Sequence, residues 1–464
     1  MKTRYADLIK QTYDFPQSGF DVLDDNLNWN GIPLMDIIDQ YGTPLKLSYL
    51  PKISEQIQNA KRIFNVAMAK ADYKGNYTYC YCTKSSHFSF VMEEALKNDI
   101  HIETSSTFDI PIIRNLFERG LLKKDTYILS NGFKREPYMQ AITDLINDDF
   151  INTIPILDNM QELDFYEKNI RKKFKLGIRI AADEEPNFEF YTSRLGIRYK
   201  DIIPFAKDKI KQNPNAELKL LHFFINTGIK DNAYYWAELT KGIDMYCELK
   251  KVCPELDSLD IGGGWPIRTS LNFDYDYSYM AEEIIRTIKS TCQKHKVKEP
   301  NVFTEFGSYT VGESGAVLFK IINQKTQNDK ERWDMIDSSF ITTLPDTWGI
   351  NQKFILLAVN HWDKSYHRVN LGGLTCDSED YYNHESHNNR VFMPNIEGSE
   401  EPLYIGFFHT GAYQESLGGY GGIQHCLIPA PKHVLIDRDE EGKISTWLFA
   451  KEQSAKSMLK ILGY

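Results

Sequence analysis

No stretch of this chain approaches the ~18 apolar residues needed to cross a bilayer, and its start, Met1-Lys-Thr-Arg-Tyr-Ala-Asp7, lacks the apolar core of a secretion signal. A spanning or exported protein is not expected, and the reading is cytoplasmic. There is no internal repeat and no low-complexity tract, which sets aside solenoids and disordered linkers. Cysteine is sparse: seven residues, an odd number, with no CxxC pair and no regular spacing. That excludes a disulfide framework or a zinc ribbon and leaves free thiols. A basic excess is also missing, since 54 Lys and Arg face 64 Asp and Glu for a net charge of −10. A nucleic-acid partner is therefore not expected, while a small cationic substrate is compatible. What remains is a chain of 464 residues, 42% hydrophobic, long enough for two or three domains with sizeable cores.

Between about residues 75 and 305, short β-rich runs alternate with amphipathic helical stretches. The expected strands end near Thr83, Glu103, Asn131, Leu157, Ile180, Phe224, Ile261 and Glu305. Helix signals fill the spacers: Ser105-Ser-Thr-Phe-Asp109 offers capping residues ahead of Ile110–Leu116, with Gly120 as a stop, and similar patterns cover Ala233–Cys247 and Tyr277–His295. Eight strands separated by helices predict parallel pairing and a closed (β/α)8 barrel. After Gly312 the texture changes to short β-like runs, Val317–Ile322, Ser339–Thr343, Lys353–Val359, Arg390–Pro394 and Leu403–Phe408, broken by Pro, Gly, Asn and Asp. This predicts an antiparallel β-domain. Phe20-Asp-Val-Leu23 and Leu34–Ile38 add a strand and a helix to it. The expected domains are 1–45, an N-terminal segment joining the β-domain; 46–315, the barrel; and 316–464, the β-domain.

Barrel active sites collect at the C-terminal ends of the strands. Lys84, Glu103, Arg179, His222, Gly262-Gly-Gly264 and Glu305 all fall on that rim. Each has a plain alternative: Lys84 as a solvated strand end, the glycines as a bend, Glu305 as a cap, Arg179 as half of an ion pair. Together they form a set with one chemistry. An amine at a strand end can hold an aldehyde as a Schiff base, unhindered glycine N–H groups can cradle a phosphate, and a carboxylate can keep a pyridine nitrogen protonated. Those are the requirements of a pyridoxal-phosphate enzyme. Cys80 and Cys82, on one face of the Tyr77–Thr83 run, read as small core residues, whereas Cys376 sits in a polar string. His384-Glu-Ser-His387 reads as a surface loop and not as a pair of metal ligands.

Lys84 after its strand, Leu259–Gly264, Glu305-Phe-Gly307 and Cys376-Asp-Ser-Glu-Asp380 resemble the fold type III pyridoxal-phosphate decarboxylases, which include ornithine, diaminopimelate and biosynthetic arginine decarboxylases. Three strings, Ser339–Gln352, Leu374–Ser378 and Gly411–Gly419, resemble the arginine branch most, and the likeness runs in order from about Tyr41 to about Gly419. The resemblance implies an alanine racemase-like architecture and decarboxylation of arginine to agmatine for polyamine synthesis. It also implies a homodimer, or dimer-based oligomer, with shared active sites.

By the same resemblance Lys84 holds pyridoxal 5'-phosphate; Gly262, Gly263, Gly264 and Tyr413 take its phosphate; Glu305 faces the ring nitrogen; and Gly307, His222 and Arg179 line the same site. Cys376, from the neighbouring subunit, donates a proton, while Asp346 and Asp377 take the far end of the substrate. Two residues depart from the pattern: Phe224 stands where relatives stack a histidine on the ring, and Ser308 where they carry arginine. The alternatives are another basic substrate (ornithine, lysine, diaminopimelate or carboxyspermidine) or a non-catalytic regulator on the same fold. Whether magnesium assists is not written in the sequence.

Overall fold

The computed structural model describes residues 15–183 and 192–464, so the reading of Met1–Asp7 lies outside the described residues. The chain divides into two compact units, one made of Ile53–Pro266 and Tyr275–Thr310, the other of Met1–Lys52, Ile267–Asp274 and Val311–Tyr464.

In the first unit eight parallel strands close into a barrel: Tyr77–Cys82, His101–Thr104, Ile128–Ser130, Thr153–Leu157, Phe174–Arg179, Ala216–His222, Ser258–Asp260 and Asn301–Phe306. The last pairs with the first, Glu305 opposite Cys80, which completes the ring. These strands are recognisable because parallel strands buried on both faces read as short continuous runs of apolar, β-branched and aromatic residues. Thr153–Leu157, for example, is buried at every position. Cys80 packs inside with Leu129, Ile154, Ile156, Leu220 and Phe303, and Cys82 is likewise buried. Around the barrel, Asp109–Glu118 buries Ile110, Ile113 and Leu116, and Tyr277–His295 buries Met280, Ile284, Ile288 and Cys292, the spacing of one helix face. Gly120 adopts φ +73° and its N–H bonds the Phe117 carbonyl at 2.9 Å, ending its helix as expected.

The second unit is built on a ten-stranded sheet with Leu45–Tyr49 between Gly315–Gln327 and Lys432–Arg438. Period-two alternation places Ala316 and Leu318 in one core with Leu45, Leu47 and Phe408, and Val317, Phe319 and Ile321 in another with Phe340, Leu371 and Phe407. Three expectations are corrected. The sheet is mixed: Lys432–Arg438 runs parallel to Leu45–Tyr49, and Glu331–Ile336 parallel to Tyr366–Gly372, because long connections separate the members of each pair. Ser339–Thr343 is not a strand; Phe340–Thr343 is helical, with Ser339 Oγ accepting the Ile341 N–H at 3.1 Å as an N-cap. Residues 46–52, Ile267–Asp274 and 311–315 belong with the sheet unit and not with the barrel; for the first of these the reason is that the Leu45–Tyr49 strand pairs on both sides with strands of that unit.

The His384–His387 string is also not a surface loop at all its positions, because Glu385 and His387 are buried, with side chains 3% and 4% exposed. At 3.8 Å their nearest polar atoms are too far apart for a hydrogen bond, so the contact is a weak ion pair at best and burial dominates both groups. It pushes the Glu385 carboxyl up to about 8 and the His387 imidazole down, so burial favours the neutral form of each. A carboxyl raised on folding stabilises fully below its unfolded value, and that contribution is lost as pH rises through the folded value. The sheet unit should therefore lose stability between pH ~4.5 and ~8, by on the order of a few kcal/mol. Glu385→Gln, permanently neutral, should match the parent in melting temperature near pH 5 and exceed it at pH 8. Parallel melting curves across that range would show no role for Glu385.

Candidate active site

The Tyr77–Cys82 strand ends in a tight turn, Thr83–Ser85, pinned from several sides. Tyr81 Oη donates to the Ser86 carbonyl (2.8 Å), Ser85 Oγ to the Cys82 carbonyl (2.8 Å) and Thr83 Oγ1 to the Glu103 carbonyl (3.2 Å). Lys84 projects from this turn with its side chain 45% exposed, and its Nζ lies 3.3 Å from the fully buried Glu103 carboxylate. Burial pushes the Glu103 carboxyl up, and Lys84 opposes it. An amine held at the rim, half open and beside one buried acid, is placed for covalent work.

Glu305, near the end of the last barrel strand, is held on both oxygens. Asn131 Nδ2 donates to Oε1 at 2.5 Å and His222 Nε2 to Oε2 at 3.0 Å. Burial raises the Glu305 carboxyl, but the His222 imidazole and then Lys84 outweigh it, so it stays below the usual carboxylate range. Asp260 takes the opposite role. It is fully buried, and burial and then the nearby Glu305 charge push its carboxyl well above the usual range, opposite in direction to Glu305. His222, Asp260 and Glu305 place three atoms able to ligate a metal within 4.8 Å of one another, but His222 and Glu305 already bond each other.

Asp260 Oδ1 accepts the Gly262 N–H at 2.8 Å, which fixes the glycine turn. Gly262 and Gly264 have φ of +69° and +97°, a region L-residues avoid. A Cβ at Gly263 would lie 2.1 Å from the Glu305 carbonyl oxygen, and one at Gly262 2.7 Å from that of Phe223. The triplet is thus a bare backbone cradle packed beside the Glu305 strand. Phe224 lies against Gly262, with its ring under the Arg179 guanidinium (5.5 Å to the centroid), a cation–π contact. Gly307 packs closely on Ser85, whose Cβ would be 3.1 Å from an added Cβ. Ser308 opens a short helix, Ser308–Val311. The donor set fits pyridoxal phosphate: an amine, an anionic carboxylate kept charged by two donors, and a cradle that any Cβ would fill.

The remaining site residues expected from sequence lie in the other unit. Asp346 opens the short helix Asp346–Gly349, half-buried, its carboxyl raised by burial and drawn back by a hydrogen bond from Gln414. Tyr413 stands beside Gln414 at φ +67°, strained for a bulky residue. Cys376 is exposed with its Sγ 3.9 Å from that of Cys426, and Asp377 Oδ2 lies 3.4 Å from His425 Nε2. Buried Asp380 organises this region: Oδ1 accepts the Phe340 N–H (2.7 Å), and Oδ2 accepts both the N–H and the hydroxyl of Thr375 (3.0 and 2.6 Å). Asn131, Asp260 and Gln414 were not assigned from sequence. For Asp260 the available signal was an acid between Leu259 and Ile261 at the end of a short buried strand.

Arginine decarboxylases are similar to this chain along most of its length. The biosynthetic arginine decarboxylase of Prochlorococcus marinus (strain MIT 9515) is 22% identical over 92% of this chain and 83% of its own, and arginine decarboxylase 2 of Arabidopsis thaliana 21% identical over 86% and 70%. The crystal structure of the Campylobacter jejuni biosynthetic arginine decarboxylase shares the fold, with a TM-score of 0.82 at 19% identity, covering 96% of this chain and 89% of that one. A diaminopimelate decarboxylase structure from M. jannaschii superposes with a TM-score of 0.78 at 16% identity, covering 96% and 97%. No described helix is long and apolar enough to cross a membrane. The family described as pyridoxal-dependent decarboxylase, pyridoxal binding domain, matches residues 53–312, the span that contains the barrel, Lys84, the glycine cradle and Glu305, and the chain belongs to that family.

Proposed function

We propose that the chain decarboxylates L-arginine to agmatine, the entry into polyamine synthesis, with active sites shared across a homodimer. The observation that carries the arginine reading is the likeness to arginine decarboxylases across nearly the whole chain, extending into the Asp346 and Gln414 region outside the barrel. Pyridoxal phosphate, when bound, supplies the electron sink for the bond to the departing carboxylate. The chain's own groups do the rest in this reading. Lys84 is the amine that would hold the cofactor. Glu305, kept anionic by His222 and Asn131, holds the proton on the ring nitrogen. The Gly262–Gly264 N–H groups and Tyr413 bind the phosphate, without the cation that arginine in place of Ser308 would give. Phe224 offers an apolar face to the ring. Cys376 of the neighbouring copy returns a proton to the reacting carbon, and Asp346 with Asp377 takes the guanidinium, whose planar fork suits carboxylates.

The scaffold alone does not choose the substrate, since structures named diaminopimelate and lysine decarboxylase share it. Product analysis with arginine, ornithine, lysine and diaminopimelate offered in parallel should give agmatine as the main product. Asp346→Asn keeps the shape and removes one charge. It should cut kcat/KM for arginine by roughly ten- to a hundredfold, on the order of 1.5–3 kcal/mol, and penalise neutral citrulline less. A better rate with ornithine or lysine, or arginine turnover untouched by the substitution, would overturn the arginine reading and leave the family intact.

A further inference from the structure

We infer that Gln414 is a specificity-positioning residue, fixing the carboxylate of Asp346 so that one oxygen faces the substrate; the inference rests on the arginine reading above. The two residues are 68 positions apart, yet their side chains interlock. Gln414 Oε1 accepts the backbone N–H of Asp346 at 3.2 Å, while Gln414 Nε2 donates to Asp346 Oδ2 at 2.7 Å and to the Ala412 carbonyl at 3.0 Å. Because the oxygen meets a donor and the nitrogen meets two acceptors, the amide can sit only one way round.

Gln414 is 2% exposed, so the clamp is shielded from competing water. It is also rigidly based. The Gln414–Leu417 helix follows the left-handed Tyr413, and a Cβ at Gly418 would lie 2.5 Å from the Thr342 carbonyl oxygen, which places this helix against Phe340–Thr343. Asp346 is only half-buried, and its Oδ1 makes no hydrogen bond among the described residues.

The chemistry of the clamp matters as much as its shape. An uncharged amide donor orients a carboxylate without neutralising it, so the full negative charge remains for a cationic guest. A lysine in its place would cancel that charge, and a glutamate would contest it. One oxygen tied back and one left open is the arrangement that a single N–H of a guanidinium would meet. This gives a physical reason for glutamine at this point of the Gly411–Gly419 string.

The test uses the cofactor-loaded enzyme and three variants. Gln414→Leu removes both arms of the clamp at similar volume, Gln414→Glu keeps the shape but replaces the amide donor with an acid, and Asp346→Asn reports on the reading beneath. The expected result for Gln414→Leu is a rise in KM for arginine of roughly tenfold or more, a smaller change in kcat, unchanged near-visible cofactor absorbance, and a reduced preference for arginine over citrulline. Gln414→Glu should lose that preference progressively as pH rises and the new acid ionises. This readout stands even if Gln414→Leu fails to fold, and a purely structural role would not produce it. If Asp346→Asn impairs arginine use while both Gln414 variants keep the parental KM and preference, the positioning role is overturned and the arginine reading stands. If Asp346→Asn is itself without effect, the reading falls and the inference with it.

Discussion

Alanine at Lys84 should abolish both turnover and the near-visible absorbance of the purified enzyme, because among the described residues no other amine contacts Glu103 at this rim. The substitution has a second, structural effect. Glu103 is fully buried and loses the only cation within 4 Å among the described residues, which costs more than loss of an exposed pair. Lys84→Arg separates the two effects: a guanidinium retains the charge beside Glu103 but does not condense with an aldehyde. It should therefore melt close to the parent and still be colourless and inactive. Borohydride treatment of the parent should leave the cofactor mass on the peptide containing Lys84. Retained colour or turnover in either variant would remove Lys84 from its assigned role. The same variant addresses the shared site, since inactive Lys84→Ala protomers mixed with Cys376→Ala protomers should recover part of the activity if Cys376 serves the neighbouring copy. Two self-sufficient sites would give no recovery.

Alanine at Gly263 should be nearly as damaging, from one added methyl group. That methyl would sit 2.1 Å from the carbonyl oxygen of Glu305 and 3.1 Å from its carbonyl carbon. Both are backbone atoms of a barrel strand, and no flexible side chain can yield in their place. Either the cradle moves outward or the Glu305 strand shifts, and each displaces a group assigned to the cofactor. Overpacking of this kind typically costs ~1–3 kcal/mol. We expect a lowered melting temperature and a cofactor affinity reduced at least tenfold, read by titrating the apoprotein with pyridoxal phosphate at the absorbance band. A Gly263→Ala enzyme with parental affinity and stability would mean that the triplet is only a bend.

The barrel was legible because its strands are buried on both faces, so each appears as a short dense run, and all eight end within two residues of where the sequence places them. The sheet unit was less legible. Ile444–Ala450 is an edge strand exposed at most positions, and Tyr366–Gly372 carries His367, Arg368 and Asn370, so neither shows a clean apolar pattern. Ser339–Thr343 misled because Phe, Ile and two threonines favour strands locally, while the Ser339 cap decides for a helix. At the site, residues whose chemistry is intrinsic, such as Lys84 and the glycines, stood out. Asp260 and Gln414 did not, because their roles depend on groups that only the fold brings near, Glu305 for one and Asp346 for the other.

The placement of Leu45–Tyr49 also sets an order of events during synthesis. It pairs with Lys432–Arg438, beginning with Leu45 opposite Lys432, so one of its two edges stays unsatisfied until 387 further residues have been added (432 minus 45). At ~5–20 residues per second, that strand waits roughly 20–80 seconds for its second partner. The barrel lies entirely between the two and can close in the interval. Until the final strands emerge, the nascent chain thus carries a completed barrel beside an open sheet edge, and that edge is where a chaperone would be needed.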